Sequence, residues 1–319
     1  MFEHFLANLS EIQMFLNLNH KFSRKSFKFR AQFAALAAVL LVVSCGDANR
    51  QYVRKAVGIM DKQGLFAEGA EWKEAKAEAL AAKPESLEEA QEIVRAAARV
   101  AGGKHSFLKP AGTVVADATA EWPAPEVTFQ DGGIPVVSLP CFSGNDDEGV
   151  KYASAVLSAV SDDIPGVVID LRGNTGGNMY PMIAAVHRFL PDDNKTISFR
   201  SRGRTNRIPL SYIVRVARVG QRSRIECPVT ILTDSLTASS GEATLICFRG
   251  LDYVRVFGGP TAGYASANQP FPLPGGDHLV LTTGCDVART GEVFCDDPIE
   301  PDVLTDTPLE DALKWIGNL

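Results

Sequence analysis

Past Gly102-Gly103 the chain sets short, mostly apolar runs between helical stretches, and this alternation restricts its folding more than any other feature. Ile134 to Leu139, Gly166 to Leu171, Val229 to Thr233 and Tyr253 to Phe257 are strand-like, rich in β-branched residues and without a regular polar face. A strand lacking a polar face is buried on both sides, so helices must cover the sheet above and below. Glu148 to Val160, Met179 to Leu190 and Gly241 to Phe248 have the helical spacing needed to do so. The reading is an α/β core over 102–319. Ahead of it, 45–101 is rich in Ala, Glu, Lys and Arg, with Leu87, Ala90, Ile93, Val94 and Ala97 at helical intervals. Gly64 and Pro84 divide that stretch into three short helices, a small helical N-terminal subdomain.

Residues 1–44 read as a lipoprotein signal peptide. Lys21, Arg24, Lys25, Lys28 and Arg30 form a basic cluster, followed by Ala31 to Val43, where Gln32 is the one polar side chain. At about 1.5 Å rise per residue that run reaches roughly 20 Å, short of the ~30 Å hydrocarbon core, so it is an export h-region and not a transmembrane helix. It ends in Val42-Val43-Ser44-Cys45, which resembles a bacterial lipobox, with a plain secretory signal as the alternative. On the lipobox reading Cys45 is acylated, and the protein is an exported, membrane-anchored lipoprotein of the bacterial cell envelope. The segment before Lys21 is long and apolar for an n-region, which makes Met14 an alternative start.

The first 44 residues hold five basic and two acidic groups; 27 basic and 36 acidic groups remain, a net charge of −9. That balance excludes a nucleic-acid partner, which needs a basic field, and leaves membrane contact to the lipid alone. Five cysteines follow Cys45, namely Cys141, Cys227, Cys247, Cys285 and Cys295, none in C-x-x-C spacing. No metal site or cofactor is implied. In an oxidising envelope an odd count leaves at least one thiol; Cys285 with Cys295 is the first pairing to consider, and Cys247 reads as a small buried hydrophobe in a helix.

Three segments carry candidate chemistry. Val168-Ile169-Asp170-Leu171-Arg172-Gly173-Asn174-Thr175-Gly176-Gly177-Asn178 runs a strand into a glycine-rich turn, which frees N–H groups to face an anion or a carbonyl oxygen. It has neither the Lys-Ser/Thr of a phosphate loop nor G-x-G-x-x-G. Thr237-Ala238-Ser239-Ser240-Gly241-Glu242 lies between a strand and a helix, where Ser239 is either an ordinary N-cap or a nucleophile beside unpaired helix N–H groups. Gly102-Gly103-Lys104-His105-Ser106 supplies a histidine. Beyond the signal the histidines are His105, His187 and His278; His187 reads as a helix residue and His278 as solvent-facing, which leaves His105 as the favoured general base.

A His-Ser turn, D-L-R-x-N-x-G-G after a strand, T-A-S-S-G-E, Gly258-Gly259-Pro260-Thr261-Ala262-Gly263, then Ile299-Glu300-Pro301-Asp302: in this order the elements resemble the tail-specific (C-terminal-processing) and tricorn-core serine peptidase superfamily over about residues 50–305. The resemblance implies a crotonase/ClpP-like spiral of ββα units, Ser239 as nucleophile, and oxyanion donors from the N–H of Ser240 and of Gly176 or Gly177. The processing branch uses a Ser-Lys dyad, but the matching lysine position holds Tyr264, and no stretch before Ile134 is long enough for a PDZ domain. His105 stands where the tricorn-like branch keeps its base. The acid orienting that base would be Glu300, with Glu292 second; Glu242 and Asp170 read as structural, and Ser106 as a supporting hydroxyl.

The implied function is a serine endopeptidase acting on peptides or unfolded proteins through a Ser-His(-Glu) acyl-enzyme, anchored to the membrane by its N-terminal lipid. The alternative is a catalytically silent peptide- or lipid-binding lipoprotein on the same scaffold. Phe199 to Arg224, with eight arginines, reads as a solvated loop, with a guide for acidic peptides as the alternative. Substrate identity and oligomeric state are not encoded in any legible pattern.

Overall fold

The computed structural model describes residues 47–112 and 122–319; the signal-like segment and Cys45 lie outside the described residues. Three helices come first: α1 (47–63), α2 (Gly69–Ala81) and α3 (Leu87–Gly102). Ser86 caps α3 by accepting from the Glu89 N–H at 3.1 Å, satisfying one of the helix's unpaired donors. The stripe Ala90, Val94, Ala97 and Ala101 is buried and packs with Tyr52, Met60 and Trp72. The same cluster takes in Leu279 and Leu281, so the helical unit is seated on a sheet and is not a free-standing bundle.

That sheet is antiparallel. It contains β1 (Phe107–Lys109), β5 (Ile197–Ser201), β6 (Arg204–Ile208), β9 (Ser266–Pro272), β10 (His278–Val287) and β11 (Val293–Phe294). Strand β10 is its spine, pairing with β1, β5, β9 and β11. The second sheet is the one read from the apolar runs. Its order is β12-β8-β7-β4-β3-β2, formed by β2 (Glu126–Phe129), β3 (Pro135–Ser138), β4 (Val167–Asp170), β7 (Val229–Thr233), β8 (Val254–Gly258) and β12 (Val303–Leu304). All its pairings are parallel except β2 with β3.

Both faces of the parallel sheet are covered, as the missing polar faces require. Helices α4 (Asp146–Ala159), α5 (Met179–Ala185) and α7 (Ser240–Phe248) bury Ile169 and Ile231 on one side. On the other, α8 (Pro308–Gly317) lays Ala312 and Ile316 against Val168, Leu232 and Phe257. Each fully buried isoleucine contributes roughly 1.5–3 kcal/mol. Among the described residues the molecule is thus a mixed α/β fold of two sheets and eight helices.

Two expectations need correction. The Phe199–Arg224 stretch is not a loop throughout: it includes the β5–β6 hairpin, turning at Arg202-Gly203, and α6 (Leu210–Val216). Its outer strand β6 is largely exposed, so its polar residues give no apolar run to read. The helix from Met179 stops at Ala185 and continues as a 3-10 turn over His187–Phe189. His187 fixes that turn, its Nδ1 donating to the Ala184 carbonyl at 2.7 Å while Nε2 accepts from the Arg222 N–H at 3.1 Å. Cys285 and Cys295 form a disulfide, and Cys247 is a buried thiol in α7.

Candidate active site

Ser239 occupies the sharp turn from β7 into α7. Its backbone sits at φ 52°, ψ −113°, a left-handed conformation outside the extended region that a capping serine adopts. What holds it there is Glu242, fully buried three residues on. The Glu242 carboxylate accepts from the N–H groups of Ser239 (2.8 Å), Gly263 (2.9 Å) and Tyr264 (2.7 Å) and from the Thr261 hydroxyl. Burial raises the pKa of Glu242, and those four donors pull it back down. Glu242, read from sequence as structural, is thus a clamp joining the Ser239 turn to the Gly-Gly-Pro-Thr-Ala-Gly segment.

The glycine-rich turn after β4 packs directly on Ser239. Asn174, fully buried, donates through Nδ2 to the Leu139 carbonyl (2.8 Å), accepts from the Gly176 N–H (2.9 Å), and its own carbonyl receives the Ala238 N–H (2.8 Å). Gly176 and Gly177 have φ of 100° and 122°. A Cβ on Gly176 would sit 2.8 Å from the Ser239 Cβ, and one on Gly177 would sit 1.9 Å from the Phe142 carbonyl oxygen, so neither position has room for a side chain. The two differ in their N–H groups. That of Gly176 is engaged by Asn174, whereas Gly177 and Ser240 have N–H groups without a hydrogen bond among the described residues. The Ser240 hydroxyl donates to the Gly177 carbonyl at 2.6 Å and binds the two segments together.

His105 lies between α3 and β1 and faces the same cleft. Gly103 ends α3 at φ 73°, Asn268 donates to the His105 carbonyl at 2.9 Å, and Ser106 bridges to β10 through Thr282, accepting its N–H at 2.9 Å. The ring is held by Ser266, whose Oγ is 2.9 Å from Nδ1, and by the edge of Tyr264, with ring centroids 5.3 Å apart. Burial lowers the His105 pKa to about 4, helped by the neighbouring Lys104 charge and opposed by a hydrogen bond to the Ser266 backbone. Lys104 itself lies 4.6 Å over the Tyr264 ring and donates to the Ala262 carbonyl.

A cleft of about 890 Å³ brings His105, Ser239, Ser240, Gly177 and Ser266 onto one lining. No hydrogen bond joins the His105 ring to Ser239 among the described residues; such contacts commonly tighten only with substrate in place. Glu300 is exposed and does not reach the imidazole: Ser266 stands at Nδ1 instead. The Ile299–Asp302 segment acts through its backbone and through Asp302, since the Thr261 hydroxyl accepts the Ile299 N–H and Asp302 accepts the Val256 N–H. Glu292 pairs with Arg249. Among the described residues no group of acids, histidines and cysteines is placed to hold a metal. Ser266 carried no signal in the sequence, because a lone serine at the start of a polar strand has no spacing that marks it.

Residues 133–305 match Peptidase family S41. This chain belongs to peptidase family S41. It is 31% identical to the nisin-resistance protein of Lactococcus lactis subsp. lactis over 279 residues, covering 84% of this chain and 87% of that protein. A lipoprotein from Streptococcus agalactiae superposes with a TM-score of 0.77 at 30% identity, covering 85% of this chain and 96% of that one. The photosystem II D1 C-terminal processing protease shares the fold at a TM-score of 0.59 and 13% identity, with 85% of this chain and 97% of that one covered. The α/β architecture expected from the resemblance to tail-specific and tricorn-core peptidases is the one observed.

Proposed function

We propose that this S41 chain is a serine endopeptidase of the cell envelope in which Ser239 is the nucleophile and His105 the general base. The observation that carries the reading is the Ser239 backbone itself: a left-handed turn clamped by Glu242, with two unengaged N–H groups beside it and an imidazole on the same cleft. Strain of this kind costs about 1–3 kcal/mol and persists where the surroundings enforce it, commonly at catalytic residues. An ordinary cap needs no such conformation.

In the proposed reaction the Ser239 hydroxyl attacks a peptide carbonyl while His105 Nε2 takes its proton. For Nε2 to accept, Nδ1 must be protonated, and Ser266 Oγ stands where it can accept that N–H and orient the ring, the place Glu300 was expected to take. The tetrahedral oxyanion is received by the Gly177 and Ser240 N–H groups, aided by the N-terminal dipole of α7. His105 then passes its proton to the leaving amine, and water hydrolyses the acyl-enzyme.

The lipobox-like Val42-Val43-Ser44-Cys45 and the S. agalactiae lipoprotein relative support anchoring through Cys45, and among the described residues no helix is long and apolar enough to cross a membrane. The name of the L. lactis relative makes nisin the first peptide to test. Mass spectrometry of nisin and of an unbiased peptide mixture, incubated with full-length protein in detergent, should show new termini. Ser239→Ala should leave every peptide intact; equal cleavage by the variant would remove Ser239 from the mechanism.

A further inference from the structure

The cleft holds one carboxyl that the mechanism does not use. Asp286, on β10, is 2% exposed yet lines the cleft, and its Oδ1 is buried without a hydrogen-bond partner. Strand register explains why it finds none. Asp286 pairs across the sheet with Phe199 on β5 and with Phe294 on β11, and directly paired residues project on the same face. Its neighbours on that face are therefore two rings that offer no donor. Burial holds its pKa well above the usual carboxylate range, and the Glu242 carboxylate adds to the effect.

An unpaired buried carboxyl is costly, most of all when it is charged, and a substrate cation can relieve that cost. The route to it starts at the nucleophile. Ala243 lies one helical turn beyond Ser239 and also lines the cleft, as does Ala267, and neither puts a bulky side chain into it. Phe199 adds an aromatic ring to the same lining. A long aliphatic stem against Phe199 with a cationic end on Asp286 matches this lining, in the way lysine and arginine bury their methylenes while their charge seeks a polar partner.

We propose that Asp286 forms the floor of the subsite for the substrate residue whose carbonyl Ser239 attacks, and that it selects lysine or arginine there. The proposal rests on the peptidase reading and adds to it a class of substrate, peptides cleaved after a basic residue. Ser201 and Thr283 on the same lining are neutral, and the other fully charged side chain there, Arg204, is exposed on β6, so among the described residues Asp286 is the one acidic group of the cleft and the group a substrate cation can pair with.

The test uses full-length protein and two peptidyl diphenyl phosphonates that differ only in carrying lysine or norleucine beside the phosphorus, with a plain fluorophosphonate as a third probe. Each reacts when Ser239 Oγ attacks phosphorus and its leaving group departs. Wild type should be modified by the lysine probe at least about tenfold faster than by the norleucine probe, and Asp286→Asn should bring the ratio to within about twofold, because a site built around a buried polar group rejects partners that leave it unpaired. Using the ratio within each protein cancels any difference in folded fraction. Equal rates in wild type, or a preference that survives Asp286→Asn, would overturn the subsite. If the fluorophosphonate labels Ser239 but lysine gains nothing, the subsite fails alone; absence of all labelling defeats the peptidase reading and the subsite with it.

Discussion

At the scale of single residues the site turns on groups held in states they would not choose in water. His105 is neutral down to about pH 4, so the acid limb of kcat/KM should fall near pH 4 and not near 6.5. Because Lys104 contributes to that depression, Lys104→Ala should move the limb upward; a limb that stays put would show that the Lys104 charge is not felt at the ring. The same shift acts on folding. Between about pH 6.5 and 4 the unfolded chain binds a proton at His105 that the folded one refuses, so this residue's contribution is fully present above pH 6.5 and is lost as the pH falls. Glu242 is the other pivot. Glu242→Gln replaces one of two accepting oxygens with an NH₂ group that faces N–H donors, leaving buried groups unpaired, and should lower stability by about 2–4 kcal/mol in denaturant titration.

At the scale of elements, the active centre is a meeting of turns, each closed by backbone geometry. Gly176→Ala would press on the Ser239 Cβ and Gly177→Ala on the Phe142 carbonyl. We expect Gly176→Ala to reduce kcat by about 100-fold or more through misplacement of Ser239 and its donors, the scale associated with losing an oxyanion contact, with circular dichroism reading the fold independently. Those turns were legible in the sequence because glycines, an asparagine and a buried acid at fixed spacing have few other uses. The strands of the parallel sheet were legible for the same reason: burial on both faces leaves an unbroken apolar run. The β5–β6 hairpin and β9 were not, since strands such as Arg204–Ile208 and Ser266–Pro272 keep polar faces and look like loop. Ser266 and Asp286 both sit on that unread antiparallel sheet, so the orienting partner of His105 was sought at Glu300, in a motif that was visible.

At the scale of the whole molecule, the two sheets supply different halves of the proposed site. The parallel sheet delivers Ser239 and the glycine turn from the ends of β7 and β4, while the antiparallel sheet and the helices seated on it deliver His105, Ser266 and Asp286. The Cys285–Cys295 disulfide ties the end of β10, beside Asp286, to the loop beyond β11. Closing a loop with a sequence separation of 10 should stabilise the fold by about 2–3 kcal/mol on the chain-entropy account, so Cys285→Ser with Cys295→Ser should lower Tm measurably. On the proposed mechanism Ser239 and His105 work together across the junction of these halves. Fluorophosphonate labelling of full-length wild type, Ser239→Ala and His105→Ala measures it most directly: wild type should label on Ser239 and neither folded variant should, whereas folded wild type that stays unlabelled, or His105→Ala that labels at the wild-type rate, would contradict it.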